Sequence, residues 1–193
     1  YWMHNGFVNI DNVKMSKSLG NFITVHDALK TIDGQVLRFF FATQHYRKPI
    51  NFTEKAVRDA ETNLKYLKNT YEQPFTGEVD PADLQGFVDK FIAAMDEDIN
   101  AANGITVVFE LAKWINSGHY NQDVKDALTK MLEVFGVVFV EEVLDADIEA
   151  LIAERQEARA KKDFARADAI RDELAAQGIK LLDTKEGVRW TRD

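Results

Sequence analysis

The sequence contains no cysteine among its 193 residues. This absence excludes disulfide bonds and thiolate metal sites within the chain, and it fits the reducing cytosol. No apolar run approaches the roughly 20 residues that a membrane-spanning helix needs. The first residues, Tyr1 to His4, also lack the basic, apolar and small-residue succession of a signal peptide. We therefore expect a cytoplasmic protein with no membrane partner. Because aromatic residues occur from the first position, we expect the chain to be the carboxyl-terminal portion of a longer protein.

Positive charge is also scarce, because 24 Lys and Arg face 32 Asp and Glu, for a formal net charge of −8. The charge is uneven along the chain: residues 1–58 carry a net +4, residues 59–154 carry −14, and residues 155–193 carry +2. Phosphate contacts dominate the affinity of proteins for nucleic acids. A nucleic-acid partner is therefore expected to contact both ends of the chain and to avoid its acidic centre.

The most distinctive string is Lys-Met-Ser-Lys-Ser-Leu-Gly-Asn at positions 14–21. It has neither helix nor strand periodicity and predicts a loop. Its two ammonium groups, its hydroxyls and its backbone N–H groups form a flexible clamp for anionic oxygens. A solvated turn is the alternative that a shorter string would favour. The full string resembles the second signature of class I aminoacyl-tRNA synthetases. That resemblance implies ATP binding by Lys14, Met15, Ser16, Lys17 and Ser18, with Lys14 and Lys17 as the catalytic residues.

The residues around this loop predict a short strand and two helices. Residues 6–12 indicate a strand that an Asp-Asn turn closes. Thr24 offers a cap for a first helix that runs to Ile32, and apolar spacing predicts a second helix from Gln35 to Tyr46. We expect the basic residues after His45 to lie in the last turn of that helix, where cations favour the helix dipole.

The central part of the chain predicts four helices, because apolar residues recur every three or four positions in four successive segments. The first begins after Thr53, and short connections separate the others. This pattern predicts an antiparallel four-helix bundle. Asp96, Glu97 and Asp98 are consecutive, so their side chains diverge and cannot converge on one metal ion. We interpret them as a solvated face, with a minor capping role where residues 98–100 meet the turn.

The last part of the chain predicts two helices followed by a β-hairpin. Asp163 caps the second helix, from Phe164 to Gln177, and residues 179–191 alternate with period two around a Gly-containing turn. Cations alternate here with Phe164 and Trp190, and unstacked RNA bases bind to aromatic faces beside cations. The alternative for each aromatic residue is a place in the core, and for Trp190 the pattern favours that alternative.

Several strings together resemble the cysteinyl-tRNA synthetases, over essentially the whole chain. They are Y-W-M-H-N-G at 1–6, the loop at 14–21, H-Y-R at 45–47, A-M-D-E-D-I-N at 94–100, R-x3-R-x2-K-D-F-x3-D-x-I-R-D at 155–172 and D-T-K-E-G-V-x-W at 183–190. The resemblance implies a mainly α protein in three parts. Residues 1–58 would be the end of a class I nucleotide-binding domain with its stem-contact segment, residues 59–144 a bundle of the DALR type, and residues 145–193 an anticodon-recognition module.

The same resemblance implies attachment of cysteine to tRNA(Cys) at the expense of ATP, with Mg²⁺ accompanying the nucleotide. It implies that Arg159, Phe164, Asp168 and Asp183 contact anticodon bases, although Phe164 stands where the family often has tryptophan. Arg47, in the stem-contact segment, and Trp190 are further candidates for tRNA binding. The first signature of the family, His-Ile-Gly-His, and its zinc ligands are absent from this chain. We therefore expect the chain alone to be inactive and zinc-free, with Zn²⁺ bound in the full-length enzyme. We also expect a monomer.

Two other functions fit parts of the sequence. A ligase that joins cysteine to an amino sugar resembles the same catalytic core, but it should lack the basic carboxyl-terminal module. A non-catalytic tRNA-binding fragment would retain that module without supporting pyrophosphate exchange.

Overall fold

The computed structural model describes residues 1–139, 146–184 and 187–192, which belong to two compact units, residues 1–139 and 140–193. The first unit is helical apart from a small sheet, and the second combines two helices with a hairpin. This confirms the mainly α class. No helix within the described residues is long and apolar enough to cross a membrane. The expected boundaries at residues 58 and 144 stay predictions.

The first unit begins with a three-stranded sheet of β1 (Val8–Ile10), β2 (Val13–Lys14) and β3 (Ile50–Phe52), in the order β2-β1-β3. β1 runs antiparallel to β2 and parallel to β3. Asp11 and Asn12 link β1 to β2 with φ values of 48° and 66°, a left-handed conformation that Asp and Asn tolerate in hairpin turns. The expected strand and its turn are confirmed. The sequence does not predict β3, because three residues are too few to show alternation.

Two contacts tie the ends of this sheet together. The backbone N–H of Gly6 donates to the carbonyl of Tyr46 at 2.7 Å. A Cβ atom at Gly6 would collide with the carbonyl of Lys48, so only glycine fits there. Asn12 and Asn51 bond reciprocally, with the Asn51 amide donating to Asn12 Oδ1 at 2.9 Å and the Asn12 N–H to Asn51 Oδ1 at 2.8 Å.

The two helices that follow the loop at residues 14–21 are shorter than expected. α1 spans Val25–Ala28, and α2 spans Gly34–Ala42. The prediction that α2 reaches Tyr46 with cations in its last turn is wrong. The helix ends at Thr43, whose hydroxyl donates to the Phe40 carbonyl at 2.8 Å. The Tyr46 carbonyl instead accepts from Gly6, so the basic segment, residues 45–48, forms a turn between α2 and β3.

Four further helices follow: α3 (Glu54–Tyr71), α4 (Pro81–Asp96), α5 (Ala101–Asn116) and α6 (Gln122–Val134). They pack around one core together with α2, which confirms the predicted helical bundle. Each begins at a side chain that accepts a backbone N–H of its first turn. These capping residues are Thr53, Asp80, Asn100 and Asn121. The fully buried side chains of the core include Phe39, Leu67, Val108, Leu111, Ile115 and Leu128.

The second unit contains α7 (Ala146–Ala160), α8 (Phe164–Ala176), β4 (Ile179–Thr184) and β5 (Gly187–Arg192). β4 and β5 pair antiparallel, which confirms the predicted hairpin. A small core joins the helices to the hairpin. Its buried members are Ile148, Ile170, Leu174 and Ile179, and Trp190 packs against them.

Candidate phosphate loop and nucleic-acid interface

The phosphate loop, residues 14–21, leaves the sheet at Lys14 and contains one 3₁₀ turn, Lys17–Leu19. Ser16 is extended, and its Oγ accepts the N–H of Leu19 at 3.3 Å. Gly20 closes the turn in the left-handed region, with φ of 71°, and its N–H donates to the Lys17 carbonyl. The loop predicted from the sequence therefore has a defined turn at its tip, and its glycine supplies a conformation that side chains disfavour.

The side chain of Asn21 joins the two ends of the phosphate loop. Its Oδ1 accepts the N–H of Ser16 at 2.9 Å, and its Nδ2 donates to the Lys14 carbonyl at 3.2 Å. The N–H of Met15 donates to the Val8 carbonyl at 3.0 Å, which holds the base of the loop on β1. Sequence reasoning missed this role of Asn21. The available signal was the position of Asn21 at the end of the 14–21 string, from which a side-chain amide can reach back to the start of the loop.

The two lysines of the phosphate loop are exposed and lie over aromatic rings. Lys14 Nζ is 3.9 Å from the centroid of the Phe7 ring, and Lys17 Nζ is 5.6 Å from that of Phe22. Neither ammonium pairs with a carboxylate of the described residues. Ser16 Oγ and Ser18 Oγ lie 3.0 Å apart. Both cations of the loop are therefore available to an anion.

Arg47, the first candidate for tRNA binding, forms a three-residue cluster with Tyr46 and Asp98. Arg47 Nε lies 2.9 Å from Asp98 Oδ2, and Nη2 lies 3.0 Å from Oδ1. The Tyr46 hydroxyl donates to Asp98 Oδ1 at 2.7 Å. His45 Nε2 lies farther away, at 3.9 Å from Asp98 Oδ2. The capping role predicted for residues 98–100 falls to Asn100, which caps α5, whereas Asp98 binds the basic segment.

These contacts favour the charged forms of both partners. The hydrogen bond from Tyr46, and then the Arg47 guanidinium, hold the pKa of Asp98 below its usual value. In turn, hydrogen bonds to Tyr46 and Asp98 raise the pKa of Arg47. Arg47 is therefore a permanent cation whose orientation a carboxylate fixes.

The predicted anticodon-contacting residues of the second unit lie on three different elements. Arg159 is in the last turn of α7. Phe164 begins α8, after the capping Asp163, and 62% of its surface is exposed. Asp168 lies one turn farther along α8, and its Oδ1 is 3.3 Å from Arg171 Nη1. The exposed aromatic ring at the start of a helix is the part of this set most open to stacking by a base.

The other two candidates of the second unit lie on the hairpin. Asp183 is on β4 opposite Val188, and Trp190 is on β5 opposite Leu181. Trp190 is half-buried against the small core, as the core alternative predicted. Among residues 1–139, 146–184 and 187–192, no three His, Asp or Glu side chains are placed to hold a metal ion.

Comparison with known families divides the chain into three successive matches. Residues 1–62 match the sequence model of "tRNA synthetases class I (C) catalytic domain". Residues 90–141 match that of the "DALR domain", and residues 141–190 match "Cysteinyl-tRNA ligase anticodon binding domain". The whole chain is 84% identical to a protein named "Cysteine--tRNA ligase" from Streptococcus pneumoniae serotype 4. The whole chain is therefore similar to one part of a cysteinyl-tRNA synthetase.

Other relatives named cysteine–tRNA ligase come from the same genus. Those of Streptococcus mutans and Streptococcus thermophilus are 80% and 75% identical over all 193 residues. In each case the match covers 100% of this chain and 43% of the relative. The chain therefore spans less than half the length of the synthetases that it matches.

A solved structure supports the fold at lower similarity. It is LeuRS of Agrobacterium radiobacter K84, in a ternary complex with tRNA and LeuAMS. The TM-score is 0.51 at 18% identity, over 68% of this chain and 20% of the other. At that identity the likeness concerns the fold alone.

Proposed function

We propose that this chain is the carboxyl-terminal portion of a cysteine–tRNA ligase, which activates cysteine with ATP and transfers it to tRNA(Cys). The observation that carries the proposal is the combination of two features in one chain. An exposed turn with two available lysines lies in the part that matches a class I catalytic domain, and a match to an anticodon-binding domain follows it.

In the first step, the carboxylate of cysteine attacks the α-phosphorus of ATP. The bond from that phosphorus to the bridging oxygen breaks, and pyrophosphate leaves with its electron pair. Lys17 stabilises the charge that develops on the phosphates, and Lys14 supplies a second cation at the base of the loop. Met15, Ser16 and Ser18 shape the turn that presents these ammonium groups. ATP enters with its Mg²⁺ as the substrate.

In the second step, a hydroxyl of the terminal adenosine of tRNA attacks the activated carbonyl, and AMP leaves. The chain contributes here by holding the RNA. Arg47 would contact its phosphate backbone, and the remaining contacts would come from Arg159, Phe164, Asp168, Asp183 and Trp190. Carboxylates accept hydrogen bonds from base amino groups, so Asp168 and Asp183 would supply sequence specificity that phosphate contacts cannot.

The longer enzyme would also hold the zinc ion that the family resemblance implies, with ligands outside this chain. When bound, that ion would select the cysteine thiol as a soft ligand. The roles proposed for residues of this chain do not depend on it. We further propose that the enzyme is a cytoplasmic monomer and that this portion alone does not activate cysteine.

Pyrophosphate exchange in the full-length enzyme tests the catalytic assignment. Lys17→Ala should lower cysteine-dependent exchange by about 100-fold or more, since it removes a group that stabilises developing charge. Lys30→Ala is the matched control, because Lys30 is also an exposed lysine of the same region but pairs with Asp27. Equal exchange by the two variants would contradict the role of the loop.

Deletion of residues 146–193 tests the tRNA assignment against the amino-sugar ligase. If the second unit reads the anticodon, the shortened chain should bind tRNA(Cys) at least about 10-fold more weakly than the complete one, because base and phosphate contacts are both lost. Unchanged tRNA affinity would favour the amino-sugar ligase. The match of residues 141–190 to an anticodon-binding domain supports the first outcome.

A further inference from the structure

The turn that carries Asp98 has an unusual backbone. Asp98 and Ile99 adopt φ values of 58° and 51°, and a β-branched residue such as Ile99 is strongly disfavoured in that region. Hydrogen bonds hold the turn in place: the N–H of Ile99 donates to the Met95 carbonyl at 3.1 Å, and Asn100 caps α5. Such strain persists only where the surroundings fix the conformation, and it often marks a functional position.

The ion pair between Asp98 and Arg47 stabilises the folded state too little to explain why the strained backbone is kept. The side chains of Arg47 and Asp98 remain 64% and 43% exposed. Exposed ion pairs contribute little to folding, because water and salt screen them. A structural role of the ion pair alone therefore gives no reason to hold the neighbouring Ile99 in a disfavoured conformation.

The geometry of the pair leaves one edge of the guanidinium available. Asp98 engages Nε and Nη2 of Arg47 side-on, and Tyr46 completes the cluster on the same carboxylate. Nη1 makes no hydrogen bond to any residue that the structure describes. A planar guanidinium fixed along one edge can present its other N–H groups to a second anion in a defined direction.

We propose that Asp98 is a positioning residue, which orients Arg47 so that the free edge of the guanidinium binds a backbone phosphate of the RNA. The inference rests on the proposed function, because it assumes that tRNA reaches this surface. The inference also predicts the opposite of what charge repulsion alone would predict for a substitution of Asp98. A carboxylate repels the polyanion, so removal of its charge should tighten RNA binding, whereas removal of a positioning group should weaken it.

The test is equilibrium binding of a fluorescent tRNA(Cys) transcript to the 193-residue chain, followed by anisotropy at two salt concentrations. Asp98→Asn should raise the dissociation constant roughly 3- to 10-fold and reduce the salt dependence by about one phosphate contact. Glu97→Gln is the matched control, because it removes the same charge from the neighbouring position. It should leave binding unchanged or tighten it slightly.

A double-mutant cycle shows whether Asp98 acts through Arg47. Arg47→Gln should weaken binding at least as much as Asp98→Asn, and adding Asp98→Asn to Arg47→Gln should cost nothing further. Arg47→Lys keeps the charge but loses the side-on pair, so it should behave as Asp98→Asn does. A purely structural role would give additive losses of affinity in the double variant.

The outcomes separate the two claims. If the unmodified chain does not bind tRNA(Cys), both the proposed function and this inference fail. If it binds and Asp98→Asn tightens the complex as Glu97→Gln does, the positioning role is wrong while the proposed function stands. If Arg47→Gln has no effect on binding, the proposed contact between Arg47 and a phosphate is wrong, while the proposed function again stands.

Discussion

The segment that carries the phosphate loop and the helical bundle that follows it are stabilised in different ways. Residues 1–29 bury one apolar side chain, Ala28, and expose ten large ones. The helices α3 to α6 instead enclose a continuous core in which side chains such as Leu67 and Leu111 have no exposed surface. The loop segment is held by hydrogen bonds, among them those of Asn21 to both ends of the loop.

This difference indicates where stability and chemistry reside. Burial of apolar surface is the main favourable contribution to folding, so the bundle should set the free energy of unfolding of the first unit. The loop segment can then vary in conformation without unfolding the bundle. Substitutions in the two regions should therefore affect different measurements.

The largest effect on stability is expected from Leu111→Ala. Leu111 is fully buried, and truncation of such a residue leaves a cavity, so the free energy of unfolding should fall by about 2–5 kcal/mol. Leu19→Ala is the matched substitution in the loop segment, where 63% of the side chain is exposed, and it should change stability by less than about 0.5 kcal/mol. Urea denaturation measures both. Similar losses would contradict the difference between the regions.

Gly6→Ala is expected to have the next largest effect. The new Cβ would meet the peptide between Lys48 and Pro49, and relief of that overlap should cost about 1–3 kcal/mol. The same substitution at Gly86, on α4, meets no atom within 4 Å and should stabilise the bundle by about 0.5–1 kcal/mol. Thermal unfolding of both variants checks this contrast in sign. Stabilisation by Gly6→Ala would show that the sheet is free to move away from the basic segment.

Two threonine caps offer a smaller and more direct comparison. Thr53 accepts the N–H of Ala56 at 3.1 Å, and Thr24 accepts that of Asp27 at 3.0 Å. Thr53→Ala should lower the free energy of unfolding by about 1 kcal/mol, because α3 is part of the bundle. Thr24→Ala should change it by less than about 0.5 kcal/mol, because α1 is one turn long and lies in the loop segment. Chemical denaturation measures both losses. A larger loss for Thr24→Ala than for Thr53→Ala would contradict the assignment of the stabilising core to the bundle.

The smallest effect concerns pH and Asp98, which joins the basic segment between α2 and β3 to the bundle. Tyr46 and Arg47 lower the pKa of Asp98, so the folded state favours the carboxylate. Its contribution to stability is present above the ordinary pKa of about 4 and is lost as the pH falls through the lower pKa of the folded state. The unfolding midpoints of the unmodified chain and of Asp98→Asn should therefore differ by a constant amount above about pH 5 and converge below about pH 4. A difference that grows on acidification would show that the carboxylate is not favoured in the folded state.

The sequence predicts the bundle well because each helix carries its own signals. The cap at Thr53 and the apolar spacing after it suffice to locate α3, and Asp163 marks α8 in the same way. The contacts that the sequence misses join residues far apart in the chain. Asp98 and Tyr46 are separated by 52 positions, and Asn12 and Asn51 by 39. No local pattern reports such a pair, so the end of α2 and the role of Asp98 emerge only from the structure.

The candidate site shows the same contrast between residues that are contiguous in the sequence and contacts that depend on the fold. The string at positions 14–21 identifies the phosphate loop because all of its chemistry is contiguous. Two kinds of contact depend instead on how the backbone turns. They are the hydrogen bonds of the Asn21 side chain within the loop and the aromatic rings next to Lys14 and Lys17. Sequence reasoning could therefore name the cations of the site but not the groups that hold them.

The most direct test of the account is the affinity of the 193-residue chain for two transcripts that differ only in the anticodon. The account predicts that tRNA(Cys) binds at least about 10-fold more tightly than the same transcript with a changed anticodon, since base contacts supply specificity that the phosphate backbone cannot. Equal affinity for the two transcripts would contradict it.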